Sequence, residues 1–282
     1  MPDLESIDRA LPAVPSASAQ RQGKAQGQGL RRLRSIAIFC ASIGTGLIFW
    51  QVCSSLFFNP NLLPPPGKVF HAGWEMALNG ELYEMVSVSI LRIAMGFTIG
   101  CIVGITCGLL MGSFWLAGEF LDPMIEVIRP ISPVAMIPIA IIWFGIDEAS
   151  KYFIIAYGVF FTTLINTIAG VRHTPLVRKR AATSLGAGTW SLFFRITLPS
   201  AMPFINTGMR VALGGAFMSV IAAEMIAANS GIGYFIMQAR LLIQTDRIFV
   251  GLVTLGLTGF FTDRLYRYVT GIVFARYLRL SA

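Results

Sequence analysis

The sequence predicts an all-α integral membrane protein with about six transmembrane helices. Of its 282 residues 55% are hydrophobic and only 13% are charged, against about 25% charged in an ordinary soluble domain. The mean hydropathy is +0.69. The apolar residues stand in long blocks, without the two-residue alternation of a membrane barrel. Helices are the spanning elements such blocks allow, because each satisfies its own backbone hydrogen bonds where water is absent. The positive charges give the third observation. The formal net charge is +8, and the arginines flank the apolar blocks. They read as orientation signals under the positive-inside rule, with lipid and not nucleic acid as the expected surroundings.

Residues 1–35 are rich in Ser, Ala, Gln, Pro and Gly and carry no apolar period, which predicts a disordered cytoplasmic tail. Arg31, Arg32 and Arg34 precede the first apolar block, Ile36 to Phe58. A signal peptide also begins with a basic flank, but this block is long, lies far from Met1 and ends without a clear cleavage site. It is expected to be retained, entering from the cytoplasm. The prolines of NPNLLPPPG force extended backbone, and Lys68 to Asn79, with Trp74, predicts a short surface helix on the outer side.

Val86 to Met111 is the second predicted span. Gly96, Gly100, Gly104 and Gly108 recur every fourth residue, forming a stripe that admits a close helix neighbour. Arg92 near its outer end is expected to snorkel. The third span, Phe120 to Trp143, is interrupted by Pro123, Pro130, Pro133 and Pro138. Asp122, Glu126 and Arg129 share one helical face there, which predicts a Glu126–Arg129 ion pair. Tyr152 to Val171, Phe204 to Met225 and Ile248 to Thr262 complete the set, and Ala227 to Asp246 is placed outside, partly dipping into the membrane. With both termini inside, the N-terminal arginines, the cluster from Arg172 to Arg195 and the C-terminal arginines fall on one side; Lys68, Lys151 and Arg240 are the exceptions.

No catalytic constellation is present. The chain lacks a phosphate-cradling G-x-x-x-x-G-K-[ST] loop, a GxSxG elbow and an H-E-x-x-H pair. His71 and His173 fall on opposite predicted sides, so no metal site is expected. Cys40, Cys53, Cys101 and Cys107 lie in apolar segments without a CxxC pair and read as packing residues. The longest polar-bearing interruption is Arg180 to Pro199. It predicts two short helices joined at a glycine: Ala181, Ala182 and Leu185 on one, Gly186 and Gly188 breaking it, then Trp190, Phe193, Phe194 and Ile196, with Pro199 as the stop.

That stretch resembles the signature loop of binding-protein-dependent ABC importer permeases, E-A-A-x3-G-x9-I-x-L-P. Ala181, Ala182, Gly186, Ile196, Leu198 and Pro199 occupy the matching positions. Arg180 stands where the family pattern has glutamate. LLPPP, RPISPVAMIPIAIIWFGI and AAEMIAANSGIGYFI further resemble the nitrate, taurine and aliphatic sulfonate branch. The resemblance implies a type I ABC importer permease fold over residues 36–282, with a cytoplasmic coupling loop at 172–203, in a bacterial inner membrane. It implies a second permease copy as a homodimer, cytoplasmic ATPase subunits that carry ATP and Mg, and a periplasmic or lipid-anchored substrate-binding protein. No cofactor is expected on this chain itself. Small anions are the implied solutes, so Arg129 at a helix break and Arg210 are candidate pathway residues. Against this, Arg129 can simply pair with Glu126, and Arg210 can snorkel to the cytoplasm. Glu224 and Asn229 belong to a stretch that is either an outer gate or a plain re-entrant turn. The alternative from another class is a secondary transporter of a small organic anion. It would need mid-membrane carboxylates and inverted repeats.

Overall fold

The computed structural model describes residues 37–38, 41–57, 59 and 62–273, and no strand occurs among them. The tail at 1–35 and Cys40 lie outside the described residues. The chain divides into two units, Met1–Pro66 and Gly67–Ala282. In the first, α1 (Ala41–Leu56) is the apolar helix of the first predicted span. Its end widens into a π-turn at Cys53–Phe57. There Ser54 donates its hydroxyl to the Leu63 carbonyl at 2.6 Å and turns the proline-rich segment back on the helix end.

The second unit opens with α2 (Pro66–Leu78), the predicted surface helix, on which exposed Phe70 and Trp74 stack. α3 (Glu81–Ser113) follows, and only Phe114 separates it from α4 (Trp115–Ile128). The third predicted span is not continuous: α4 ends at Ile128, and α5 (Ile137–Phe144) begins after a break over Arg129 to Met136. Pro130, Pro133 and Pro138 impose this break, because each removes a backbone donor and disfavours helix in the residue before it. α6 (Glu148–Arg172) leads to α7 (Leu176–Ser184) and α8 (Thr189–Leu192). A π-turn at Phe193–Thr197 joins α8 to α9 (Leu198–Ala227), and α10 (Ile232–Leu241) and α11 (Thr245–Val273) complete the chain. Among the described residues, four helical stretches are long and apolar enough to cross a membrane: Glu81–Ser113, Glu148–Arg172, Thr189–Ala227 and Thr245–Val273.

Pro199 does not end the second hairpin helix as predicted. The helical path runs from Thr189 through it to Ala227. Proline is tolerated in a first turn, where its missing N–H has no helical role, and the wide π-turn immediately before it leaves room for the ring.

The α3 glycine stripe is the seam of the bundle. A Cβ on Gly96, Gly100, Gly104, Gly108 or Gly112 would strike Ile155, Val159, Thr163, Thr167 or Val171 of α6, respectively. Both series rise in steps of four together, so α3 and α6 run parallel in a fixed register. Gly112 extends the predicted stripe by a turn. The α6 partners are all β-branched, with few rotamers to lose on packing. Thr163 and Thr167 return their hydroxyls to the Val159 and Thr163 carbonyls of their own helix, so the seam leaves no polar group unpaired in apolar surroundings. α9 packs antiparallel on another face of α6, with Gly158 against Ser219, Asn166 against Gly208 and Gly170 against Ala201 and Phe204. Ile93, Ile155, Val159, Ala212, Ala216 and Val220 form the core that α3, α6 and α9 share.

A test falls on the middle of the seam. A Cβ on Gly104 would stand 2.8 Å from the Phe160 carbonyl, a backbone atom that cannot rotate away. Gly104→Ala is expected to lower stability by about 1–3 kcal/mol. Gly256→Ala in α11, where nothing lies within 4 Å, is expected to cost nothing. Thermal unfolding midpoints of the purified protein in detergent compare the two.

Candidate functional site

Three features have functional chemistry, and α6 touches or leads into each. At its Glu148 end lies a buried ion cluster. Arg92 of α3 is 2% exposed and Glu224 of α9 is fully buried. The Arg92 guanidinium donates from Nε and Nη2 to the two carboxylate oxygens of Glu148, both at 2.7 Å, and from Nη1 to Glu224 Oε1 at 2.9 Å. Lys151, one turn along α6, donates to Glu148 at 3.1 Å and to the Ile146 carbonyl at 3.2 Å. Two cations and two carboxylates therefore neutralise one another. Such fork geometry with every donor occupied is what makes buried charge tolerable.

The same cluster holds the turn between α9 and α10. Arg92 also donates to the Ser230 carbonyl at 2.6 Å and to its hydroxyl at 3.1 Å. Ser89 donates to Glu224 and accepts the Ile232 N–H at 2.9 Å, and Gly233 N–H donates to Glu224 Oε2 at 2.9 Å. Gly231 sits at φ +106°, and a side chain there would collide with the Glu224 carboxylate. Arg92 thus does not snorkel as expected: pairing buried Glu224 and half-exposed Glu148 is the cheaper way to place its charge. Lys151 and Arg92 were legible in sequence as isolated charges.

At the Arg172 end α6 leads into the hairpin. α7 closes on Gly186 at φ +79°, with Gly186 N–H donating to the Thr183 carbonyl at 3.0 Å and Ala187 N–H to the Ala182 carbonyl at 3.0 Å. This is a Schellman closure, which needs a left-handed residue at that position. No atom lies within 4 Å of where a Gly186 side chain would begin, so backbone conformation and not packing selects glycine. The hairpin is open to solvent. Arg180 and Ala181 are exposed, Ala182, Ile196, Leu198 and Pro199 are half-buried, and Leu185 is 88% exposed. Trp190, 73% exposed, stacks on exposed Phe194 at 6.0 Å. Arg180 has no ion pair among the described residues.

Between these ends, α6 faces two adjoining clefts of about 380 and 350 Å3, and Arg129 and Ile165 line both. Arg129 is exposed at the break after α4. The predicted Glu126–Arg129 pair is absent; instead Asp122 pairs with Arg172 of α6 at 3.3 Å. Arg129 caps α4 in helical conformation and lines one cleft with Glu126, but the two form no ion pair. The other predicted pathway residues are not brought to Arg129. Arg210 pairs with Asp263 of α11 at 3.0 Å, Glu224 is enclosed in the ion cluster, and exposed Asn229 lines a separate cleft with Glu81 and Glu84.

Residues 100–271 match the family model described as the binding-protein-dependent transport system inner membrane component. The taurine transport system permease protein of Escherichia coli (strain K12) is 34% identical over 221 residues, 77% of this chain and 80% of the relative. The nitrate import permease protein of Synechocystis sp. is 31% identical over 242 residues, 82% of this chain and 87% of the relative. A Brucella melitensis chain named as a probable ABC transporter permease protein is 37% identical over 234 residues, 83% and 94% of the two chains. The chain belongs to this family of ABC importer permeases, in the nitrate, taurine and sulfonate branch; it is a transport permease and not an enzyme. A secondary transporter finds no support in that assignment.

The ion cluster yields a stability test. Arg92→Ala or Glu224→Ala leaves a buried charge with a lost partner and is expected to cost about 3–5 kcal/mol. The double variant is expected to cost less than the sum, because the two charges leave together. Denaturation of all four proteins in detergent measures the coupling.

Proposed function

We propose that this chain forms, as a homodimer, the translocation pore of an ATP-driven importer for a small anionic solute of the sulfonate, taurine or nitrate type. A soluble binding protein delivers the solute at the Glu148 end, and cytoplasmic ATPase subunits, carrying ATP and Mg, bind at the hairpin end. Both termini then lie in the cytoplasm. The observation that carries this reading is the hairpin. It follows the family's spaced signature, it is closed by a left-handed Gly186, and it offers Leu185, Trp190 and Phe194 to solvent beside basic Arg178, Arg180 and Arg195. Exposed aromatics and leucine of this kind are typical anchors of a protein interface.

The chain has no phosphate-binding loop of its own, so free energy must arrive from another subunit. The hairpin is a suitable point of arrival, because it continues through the π-turn at Phe193–Thr197 into α9, which ends at the ion cluster. Closure of the ATPases would move the hairpin and shift the bundle between two arrangements, which is alternating access. Arg180, where the family pattern has glutamate, calls for an acidic counterpart on the ATPase. Of the pathway candidates, Arg129 alone combines a cleft with a charge that no carboxylate neutralises among the described residues.

Gly186→Leu tests the coupling role. A branched residue at positive φ costs about 1–2 kcal/mol, with no clash to confuse the result. Binding-protein-stimulated ATP hydrolysis and transport in a reconstituted complex are expected to fall together, while the unfolding midpoint of the bundle changes little. Unchanged hydrolysis and transport would sink the assignment.

A further inference from the structure

We infer that Pro199 is a positioning residue: it keeps the turn at Phe193–Thr197 wider than an α-helix by one residue, and that width turns Trp190 and Phe194 outward. The inference rests on the proposed coupling role of the hairpin and says what sets the direction of its aromatic face.

The turn has a local cause. Leu198 N–H donates to the Phe193 carbonyl, five residues back, in place of the four-residue step of an α-helix. Pro199 follows at once, in the first turn of α9. In an unbroken α-helix its ring would strike the carbonyl four residues back, that of Arg195, and its missing N–H would leave that carbonyl without a helical donor. A wider turn moves the Arg195 carbonyl off the ring. The π-turn is therefore what lets the helical path run from Thr189 through Pro199 to Ala227.

The width has a rotational consequence. Ala201, Ile205, Gly208 and Ala212 mark the covered line of α9, where Ala201 and Gly208 meet Gly170 and Asn166 of α6. Followed back in α-helical steps of four, three and four residues, that line passes through Thr197, Phe194 and Trp190. An unbroken helix would thus lay both aromatics on the side that faces the bundle. The structure keeps Thr197, 3% exposed, on the line and then departs from it. Leu192 and Phe193 are half-buried, whereas Phe194 is 56% and Trp190 73% exposed, and those two rings stack. One extra residue in the turn is worth about 100° of rotation, enough to put Phe193 in the place of Phe194. Elsewhere the hairpin is loosely held. α7 and α8 bury none of their residues, and nothing lies within 4 Å of a Cβ on Gly186 or Gly188. Its rotation is therefore set mainly where it leaves, by the backbone at Pro199.

Cysteine accessibility reads that rotation directly. The full-length permease in detergent, without its ATPase, carries Phe193→Cys or Phe194→Cys and is labelled with a water-soluble maleimide, above the background of the native cysteines. With Pro199 in place, Phe194→Cys is expected to label about tenfold faster than Phe193→Cys. Pro199→Ala lets the path close into an α-helix and is expected to reverse that order without lowering the unfolding midpoint. Deleting Arg195 from the Pro199→Ala chain removes the extra residue and is expected to restore the order. In the reconstituted complex, Pro199→Ala is expected to weaken ATPase binding at least about tenfold, the loss of an aromatic anchor. The Arg195 deletion is expected to recover most of that binding. An unchanged labelling order or a lowered midpoint in Pro199→Ala, or a reversed order that the deletion does not restore, overturns the inference. A reversed order with ATPase binding intact overturns the coupling role of the hairpin and leaves the turn standing.

Discussion

The bundle depends on how closely α3 and α6 approach. Five glycines on one helix meet five β-branched residues on the other, and a single methyl group at any of the five positions would collide. In lipid no hydrophobic force drives two apolar helices together, so small-residue contact of this kind must supply the specificity. Once α3 takes one face of α6, the remaining faces are allotted. Gly158, Asn166 and Gly170 go to α9, and Tyr157, Phe161 and Ile165 are left to line clefts. The open face is therefore a consequence of the seam, and residues that never touch Arg129 decide where the cleft lies.

The two ends of α6 carry opposite kinds of structure. At one, four charges and three backbone groups close on one another, and of the four charged side chains only Glu148 is substantially exposed. At the other, the hairpin buries none of the residues of α7 or α8 and presents its largest side chains to solvent. A fastened end and an unfinished end suit a helix that transmits movement, because the free element can be driven by a partner while the fastened one keeps the bundle in register. α9 connects the two directly, from the π-turn after α8 to Glu224. A π-turn is a weak point in a helical ladder, and its placement at the hairpin's exit gives the path a natural hinge.

Much of this was legible in the sequence. The helical class, the glycine stripe, the surface helix at Lys68 and the glycine-centred hairpin follow from composition and period alone. The break at Arg129 was visible as four prolines, but its extent was not, since proline marks where a helix cannot continue without saying where the next begins. The ion cluster was the largest omission. Arg92, Glu148, Lys151 and Glu224 lie on three helices, and local spacing cannot reveal that they meet. The one usable sign was energetic: Glu224 in an apolar block needs a partner, and the arginine nearest the same membrane depth on another helix was Arg92. Pro199 misled for the opposite reason, because the same residue that stops a helix interior is accommodated in a first turn.

Arg92 and Arg129 show how context, not residue type, assigns a role. Arg92 and Arg129 both lie among spanning helices, and either could have been offered to an anion. Arg92 is saturated: its fork is divided between Glu148 and Glu224, its remaining capacity goes to Ser230, and with Lys151 the four charges sum to zero. An anion approaching that group would have to displace a carboxylate already held in ideal geometry, and would gain nothing from net charge. Arg129 has the reverse balance. Glu126, which lines one cleft with it, forms no ion pair with it, and Asp122 is taken by Arg172. The positive charge is left uncompensated where α6 is deepest, on a cleft wide enough for a small solute. The first arginine holds the bundle together because it is satisfied, and the second keeps a charge that no ion pair among the described residues takes up.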